Sequence, residues 1–212
     1  CGSWIVMLYD SNLEENKELK KHPYLNESGK ASIDNYVYEE GECTDIKVGY
    51  MTDEFLRIGN ISLQCRRMPE KDDEAAIEWD SLIKLNQGTQ IGQEIHIEVR
   101  EGSSQTTETI EKTYKLTWIL NNYTNVWNGG EYIPGIVVTE GEGEAVNRIG
   151  KAAYIYSSNN YINNYRDIYD GLVKKTHKEL IYNSSVYDYE PWGGGYIYDY
   201  MYVLLMLIGV SA

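Results

Sequence analysis

The residues that could carry out chemistry in this chain are few and widely spaced. Its three histidines, His22, His96 and His177, belong neither to an HExxH motif nor to a histidine–cysteine spacing that binds zinc. The sequence contains no GxSxG nucleophile motif and no glycine-rich loop that would cradle a phosphate. We therefore predict a non-enzymatic domain with no metal and no other cofactor. His22 then provides a positive charge at a helix end, and His96 faces solvent from a strand.

Two acidic segments are the best candidates for binding a divalent cation. They are Asp72-Asp73-Glu74 and residues 140–144 (EGEGE). Neither segment has the ligand spacing of an EF-hand loop, in which side-chain and backbone oxygens surround one ion. We therefore interpret both as solvated acidic loops.

The cysteines, Cys1, Cys43 and Cys65, are odd in number and lack the spacing of a metal site. A disulfide between Cys43 and Cys65 is one interpretation, and unpaired thiols are the simpler one. Cys1 is also the residue type that carries the lipid of a mature bacterial lipoprotein. That interpretation requires a lipobox upstream of Cys1.

Aromatic residues are the most plausible ligand or partner contacts. The chain has 20 tyrosines and one phenylalanine, and tyrosine buries its ring while keeping its hydroxyl at a surface. We predict a contact site for a substrate or a partner at Tyr123, Trp127 and Tyr132. Trp118 is assigned to the core because it alternates with leucines along a predicted strand. Trp127 lies in a polar loop, where it either contacts a partner or packs locally.

Composition limits the classes of partner. A chain of 212 residues with 42% hydrophobic residues can form one large domain or two small ones around a core. Its net charge of −14 argues against nucleic acid, since phosphate binding needs a basic surface. Cationic ligands remain compatible with this charge.

The segment 196–212 (YIYDYMYVLLMLIGVSA) has no charge from Met201 onward. Residues 200–212 are shorter than the roughly 20 residues that a transmembrane helix needs, but tyrosines crowd the start of the run, as they do at membrane interfaces. We predict the start of a transmembrane helix. The alternatives are a buried C-terminal helix or strand, or a tail removed when a lipid anchor is attached.

The pattern along the chain predicts α/β structure at both ends and a β-rich segment between them. Strands are predicted at residues 4–9, 31–39, 45–51, 74–78, 91–100, 108–120, 133–139 and 151–156. Helices are predicted at 13–22, 54–58, 80–85 and 161–182, the second capped by Thr52 and stopped by Gly59. The resulting subdomains are 1–59, 60–144 (β-rich), 145–195 (ending in a polar hinge, 183–195) and 196–212.

Several segments stand in an order that is typical of one family. They are residues 2–9 (GSWIVMLY), 19–23 (LKKHP), 52–85, 91–99 (IGQEIHIEV), 114–127 (YKLTWILNNYTNVW) and the apolar run from Tyr200. In this order the chain resembles the large extracytoplasmic domain of ABC transporter permeases of the FtsX-like, MacB-type class. One departure is Gln64-Cys65-Arg66-Arg67, where the family often has glycine, which leaves the edge of the insertion undefined.

The resemblance implies an α+β fold, in which a β-rich insertion interrupts a porter-like α/β subdomain and the start of a transmembrane helix follows. It implies a domain on the extracellular or periplasmic side of the cell membrane that couples cytoplasmic ATP hydrolysis to transport, or to mechanical signalling, of a peptide or lipid substrate. The implied partners are an ABC ATPase subunit or domain and a second permease. Gly193, Gly194 and Gly195 would form the coupling hinge. The alternatives are a surface lipoprotein or ligand-binding module anchored through Cys1, and a membrane-tethered sensor domain.

Overall fold

The computed structural model of the chain describes residues 4–9, 17, 19–61, 67–100, 108–158, 165–176 and 180–183. These residues form a four-stranded sheet and a six-stranded closed barrel, with short helices between the strands. The predicted α+β class is therefore confirmed.

The elements have the following bounds. The strands are β1 (Trp4–Leu8), β2 (Leu25–Ile33), β3 (Asn35–Glu39), β4 (Glu42–Gly49), β5 (Glu74–Glu78), β6 (Glu94–Arg100), β7 (Thr109–Leu120), β8 (Ile136–Val137), β9 (Lys151–Ser158) and β10 (Ile181–Tyr182). The helices are α1 (Asp53–Gly59), α2 (Trp79–Lys84), α3 (Glu140–Ala145) and α4 (Tyr165–Thr176), and Gly130–Tyr132 form a 3-10 turn.

The barrel is inserted into the sheet. The sheet has the order β10-β1-β9-β2 and is antiparallel throughout. The barrel has the order β3-β4-β8-β5-β7-β6 and closes where β3 pairs with β6. All barrel strands lie between β2 and β9 in the sequence, so one subdomain interrupts the other, as predicted. The subdomain boundaries after residues 59 and 144 stay a prediction.

Strand β1 is an inner strand of the sheet, and its apolar sequence, WIVML, is buried at all five positions. On one face of the sheet, Trp4 and Met7 pack with Phe55 of α1 and with residues at the end of the barrel. On the other face, Ile5 and Leu8 pack with residues that include Leu19 and Leu172 of α4. Each large apolar side chain buried in this way stabilises the fold by about 1.5–3 kcal/mol.

The two crossings between sheet and barrel are hydrogen-bonded to each other. The backbone N–H of Arg148 donates to the carbonyl of Asp34 at 2.7 Å, and the side-chain amide of Asn35 donates to the carbonyl of Val146 at 2.9 Å. Asp34 and Asn35 are both buried. This junction divides the predicted strand 31–39 into the end of β2 and all of β3.

Local sequence signals predicted several elements correctly. Helix α1 begins as expected at Thr52, whose hydroxyl accepts from the N–H of Phe55 at 3.3 Å. Asn60, at a φ of 55°, ends the helix one residue after the predicted stop at Gly59. The predicted strands at 74–78 and 151–156 and the short helix at 80–85 are confirmed within one or two residues.

The prediction of a loop at residues 140–144 was wrong, because these residues form helix α3. Thr139 caps the helix by accepting from the N–H of Glu142 at 3.2 Å. The Glu142 side chain is buried and accepts from the Tyr114 hydroxyl at 2.8 Å and from the Lys112 ammonium at 2.9 Å. Glycine disfavours helix in isolation, but these tertiary contacts outweigh its propensity.

The prediction of a long helix at 161–182 was also wrong for the C-terminal part of that range. Helix α4 ends at Thr176, and Ile181–Tyr182 form β10, which pairs with β1. Of the predicted helix 13–22, residues 17, 19 and 20 are helical. The hinge glycines and the run 196–212 lie outside the described residues. Among the residues that the structure describes, no helix is long and apolar enough to cross a membrane.

Candidate functional site

The loop 121–133 contains all three predicted contact residues and bridges the barrel to the sheet. It follows β7 of the barrel and reaches strands β10 and β1 of the sheet. The Asn128 side-chain amide donates to the carbonyl of Tyr182 in β10 at 3.4 Å. Gly129, at a φ of 85°, lies so close to β1 and β10 that an added Cβ would stand 2.6 Å from Ile181 and 3.1 Å from the Met7 sulfur.

The start of the loop is held by Glu78, a fully buried carboxylate at the end of β5. Glu78 accepts from the backbone N–H groups of Tyr123 and Thr124 and from the Thr124 hydroxyl, the last at 2.6 Å. Asn122 adds a reciprocal pair with Asp80, since its side-chain oxygen accepts from the Asp80 N–H and its amide donates to the Asp80 carboxylate. The loop is therefore fixed to the corner between β5 and α2.

Tyr123 is a packing residue at this site. Its side chain is 1% exposed, and its hydroxyl donates to the carbonyl of Pro134 at 2.6 Å. Burial raises the pKa of the Tyr123 hydroxyl well above its ordinary value, with a smaller contribution from Glu78. A direct contact between this side chain and a partner would require the loop to open.

Trp127 is half-buried and sits between sheet, helix and loop. Its ring lies 5.6 Å from that of Trp4, 6.0 Å from that of Tyr123 and 6.3 Å from that of Phe55, measured between centroids. The space for the indole exists because position 59 is glycine, where an added Cβ would stand 2.6 Å from the Trp127 ring. This surrounding favours the local-packing interpretation of Trp127.

Tyr132 also joins the loop to the sheet. Its ring stacks on that of Tyr9 with centroids 4.0 Å apart and planes inclined by 22°. Both side chains are half-buried. The buried parts of Trp127 and Tyr132 join the barrel to the strands of the sheet. Their exposed parts are accessible to a partner, so a contact role stays a proposal.

The acidic segments lie near each other but serve separate structural contacts. Asp72 accepts from the Thr139 hydroxyl at 2.6 Å. Glu74 is buried and pairs with Arg67 at 2.6 Å, so the interpretation of its segment as a solvated loop was wrong at this residue. Within the described part of the chain, no group of three or more histidine, cysteine or acidic residues is placed to hold a metal ion.

The pH dependence of stability should reveal the Glu74 contact. Hydrogen bonds from Arg67 and from the Glu70 N–H hold the pKa of Glu74 at about 2. A carboxyl with a lowered folded-state pKa stabilises the protein above its unfolded pKa, and this contribution disappears as the pH falls through the folded value. We expect Glu74→Gln to lower the melting temperature by about 3 °C at pH 7. The difference from the unsubstituted protein should shrink between about pH 4.3 and pH 2, and a constant difference would contradict this assignment.

The remaining predicted residues are placed as follows. His96 is exposed on the outer face of β6, which confirms the prediction of a solvent-facing residue. Cys43 is an exposed free thiol on β4, whereas Cys1, Cys65 and His177 lie outside the described residues.

Sequence reasoning did not identify the residues that position the loop, above all Glu78, Gly59 and Gly129. The available signals were weak. Glu78 ends a predicted strand whose three central residues are apolar, and Gly129 is part of a Gly-Gly pair that marks a turn.

No protein-family model matches the sequence, and a search of curated proteins gave no match. The chain is similar to the solved periplasmic region of MacB from Actinobacillus actinomycetemcomitans, at 7% identity and a TM-score of 0.45, over 87% of this chain and 90% of that one. It is also similar to a domain of a putative permease protein from Porphyromonas gingivalis, at 12% identity and a TM-score of 0.39, over 84% and 73% of the two chains.

A third similar structure is the extracellular domain of the noncanonic ABC-type transporter YknZ from Gram-positive bacteria, at 13% identity and a TM-score of 0.41, over 82% of this chain and 89% of that one.

Proposed function

We propose that this chain is an extracytoplasmic domain of an ABC transporter permease of the FtsX-like, MacB-type class. It would work with a cytoplasmic ABC ATPase and a second permease. Together they would couple ATP hydrolysis to the transport, or to mechanical signalling, of a peptide or lipid substrate outside the membrane. The order of the segments described above supports this assignment, and the arrangement of the strands at the two ends of the described chain supports it further.

The observation that carries the proposal is that the chain enters and leaves the fold side by side. Strands β1 and β10 are antiparallel neighbours. Asn183 donates from its backbone N–H to the carbonyl of Ile5 at 3.0 Å and from its side chain to the carbonyl of Trp4 at 2.9 Å. A domain inserted between two adjacent membrane segments needs this geometry, because both of its connections must reach the same membrane surface.

The same strands offer a route for mechanical coupling. A displacement of β1 or β10 by the membrane segments would act on loop 121–133 through Tyr9, Met7 and Ile181. The loop is fixed at its other end to the barrel by Glu78. We infer that the barrel follows the movement of the sheet through this loop, and that Trp127 and Tyr132 act in the coupling through their packing.

Location can be tested through the exposed thiol of Cys43. The full product of the gene, with serine in place of every cysteine except Cys43, is expressed in intact cells and treated with a membrane-impermeant maleimide. We expect labelling that disappears when Cys43→Ser is added. Labelling only after the cells are lysed would contradict an extracytoplasmic location.

Membrane attachment distinguishes the permease from the lipoprotein alternative. Alkaline washing of membranes should retain both the unsubstituted protein and the Cys1→Ser variant if membrane-spanning segments hold the domain. Release of the Cys1→Ser variant would favour a lipid anchor. Affinity purification from mild detergent should recover an ABC ATPase subunit, unless the ATPase is part of the same chain.

The predicted hinge gives a functional test. Replacing Gly193, Gly194 and Gly195 with alanine removes the freedom of glycine to adopt positive φ values and stiffens the connection. We expect transport, or resistance in a cell assay, to fall by about tenfold while the protein remains in the membrane at its normal level. Unchanged transport would contradict the assignment of these glycines to coupling.

A further inference from the structure

We propose that the barrel has a peptide-binding site at the open part of strand β6, where an extended, basic polypeptide segment adds as a further strand. This inference concerns the barrel itself and does not rest on the proposed transport function. It is carried by an incomplete strand pairing, by the direction of the free backbone groups and by the charge of the cleft beside them.

The barrel closes over only part of β6. Strand β6 pairs with β7 at every residue from Glu94 to Arg100. On its other side it pairs with β3 only at Val99 and Glu98. After β3 the chain turns back at Glu40-Gly41, which have φ values of 50° and 83°, and it no longer runs beside β6. Among the described residues, 94–97 therefore have a neighbouring strand on one side only.

The backbone groups at this edge point outward. The N–H of Leu116 in β7 donates to the carbonyl of Gln93 at 2.9 Å, which fixes the alternation along β6. Ile95 and Ile97 accordingly direct their N–H and C=O groups at β7, and Glu94 and His96 direct theirs at the open side. There, the carbonyl of His96 accepts one bond, at 3.4 Å, from the Gln87 side chain. An added strand would replace this long bond with ladder hydrogen bonds.

A cleft of about 670 Å³ lies beside His96 and Ile97 of the open edge. Buried apolar residues of the barrel interior, including Ile97 and Leu85, form one part of its lining, and His96 on the outer face of β6 forms another. Because residues from both faces of β6 line one cleft, there is space for a strand whose alternate side chains point inward and outward. This is the geometry of recognition by strand addition.

The negative charge of the cleft favours the binding of a basic segment. Among the described residues, its lining contains five glutamates and no lysine or arginine. These glutamates are Glu39, Glu40, Glu42, Glu98 and Glu111. Glu98 accepts from the Thr109 hydroxyl and Glu111 contacts His96, so the three glutamates of the β3–β4 turn are those most available. The matching occupant alternates apolar residues, which face Ile97 and Leu85, with lysine or arginine.

The test measures binding of a defined peptide to the full 212-residue chain. The probe is a fluorescein-labelled peptide of alternating lysine and valine, about nine residues long to match a long strand, and the readout is fluorescence anisotropy. The reference probe alternates glutamate and valine. We expect the lysine peptide to bind and the glutamate peptide not to bind.

Two variants at one position separate strand addition from simple charge attraction. His96→Pro removes the N–H that faces the open side, a position where an edge strand tolerates proline, while His96→Val removes only the ring. We expect His96→Pro to weaken binding by about fivefold or more, the effect of one hydrogen bond worth about 1 kcal/mol, and His96→Val by less than about twofold. Equal affinities of the two variants would overturn strand addition.

The charge contribution has its own matched pair. Replacing Glu39, Glu40 and Glu42 together with glutamine should weaken binding by about tenfold. The control replaces Glu54, Glu131 and Glu144, which are exposed outside the cleft, and should change it by less than about twofold. Equal losses in both triple variants would show attraction to the overall negative charge and would overturn the site.

Hydrogen exchange of the unsubstituted chain provides a measurement that does not depend on any variant folding. Saturating lysine peptide should slow exchange of the His96 and Glu94 amides by about tenfold and leave that of Tyr114 unchanged. Absence of binding, or binding without this protection, would mean that the glutamates only shield an edge strand from aggregation, and the proposal would be wrong.

Discussion

Replacing Gly29 with alanine is expected to destabilise the protein by about 3 kcal/mol, the upper part of the range for overpacking a closely packed interior. Gly29 lies in β2 where α1 crosses the strand. An added Cβ would stand 2.2 Å from both the Cα and the backbone nitrogen of Phe55. A side chain could rotate away from such a contact, but backbone cannot. Helix α1 would have to move, and with it Phe55, which is fully buried against Trp127 and the sheet.

Urea unfolding followed by tryptophan fluorescence measures this effect. Gly171→Ala is the matched control, since Gly171 is an exposed position of α4 with no atom of the described residues within 4 Å of an added Cβ. Alanine is favoured over glycine in a helix by about 1 kcal/mol, so this control should stabilise the protein. If Gly29→Ala unfolds within about 0.5 kcal/mol of the unsubstituted protein, the close contact between α1 and β2 is not as described.

Elements whose signals are local could be predicted from the sequence. Strand β1 follows from an uninterrupted apolar run, and α1 follows from a cap at Thr52. Strands β6 and β7 follow from the alternation of apolar and polar residues in the predicted strands 91–100 and 108–120. In each case the deciding residues are close together in the chain.

Elements decided by distant contacts could not be predicted. Helix α3 depends on Tyr114 and Lys112, which are 28 and 30 residues from Glu142. Strand β10 depends on an edge offered by β1 at the other end of the chain. Without these partners, Glu-Gly repeats favour a loop, and the apolar residues near Leu180 continue a helical pattern. The open edge of β6 was also hidden, because it arises where β3 turns away.

The aromatic loop stays a predicted contact site, and the sequence did not reveal how the loop is held. The polar loop and its aromatic residues were identified because tryptophan in such a loop is unusual. The structure shows that Tyr123 is buried and that Trp127 fills the space beside Gly59. Neither contact has a sequence signal, because the loop meets α1 and β1 only in the folded protein.

Glu78 determines whether the loop stays attached to the barrel, and Glu78→Ala is expected to destabilise the protein by about 3 kcal/mol. The substitution leaves the N–H groups of Tyr123 and Thr124 and the Thr124 hydroxyl without their acceptor. Each buried donor left unsatisfied costs about 1–3 kcal/mol, and removal of the buried carboxylate itself offsets part of the sum.

Hydrogen exchange distinguishes loss of this anchor from general unfolding. In the Glu78→Ala variant, the Tyr123 and Thr124 amides should exchange much faster while the amides of β1 keep most of their protection. Thr124→Val is the control, since it removes only the hydroxyl donor and should cost about 1 kcal/mol. A loss below about 1 kcal/mol for Glu78→Ala would mean that the Asp80–Asn122 pair alone holds the loop. Coupling between barrel and sheet would then depend on the aromatic contacts and not on the carboxylate.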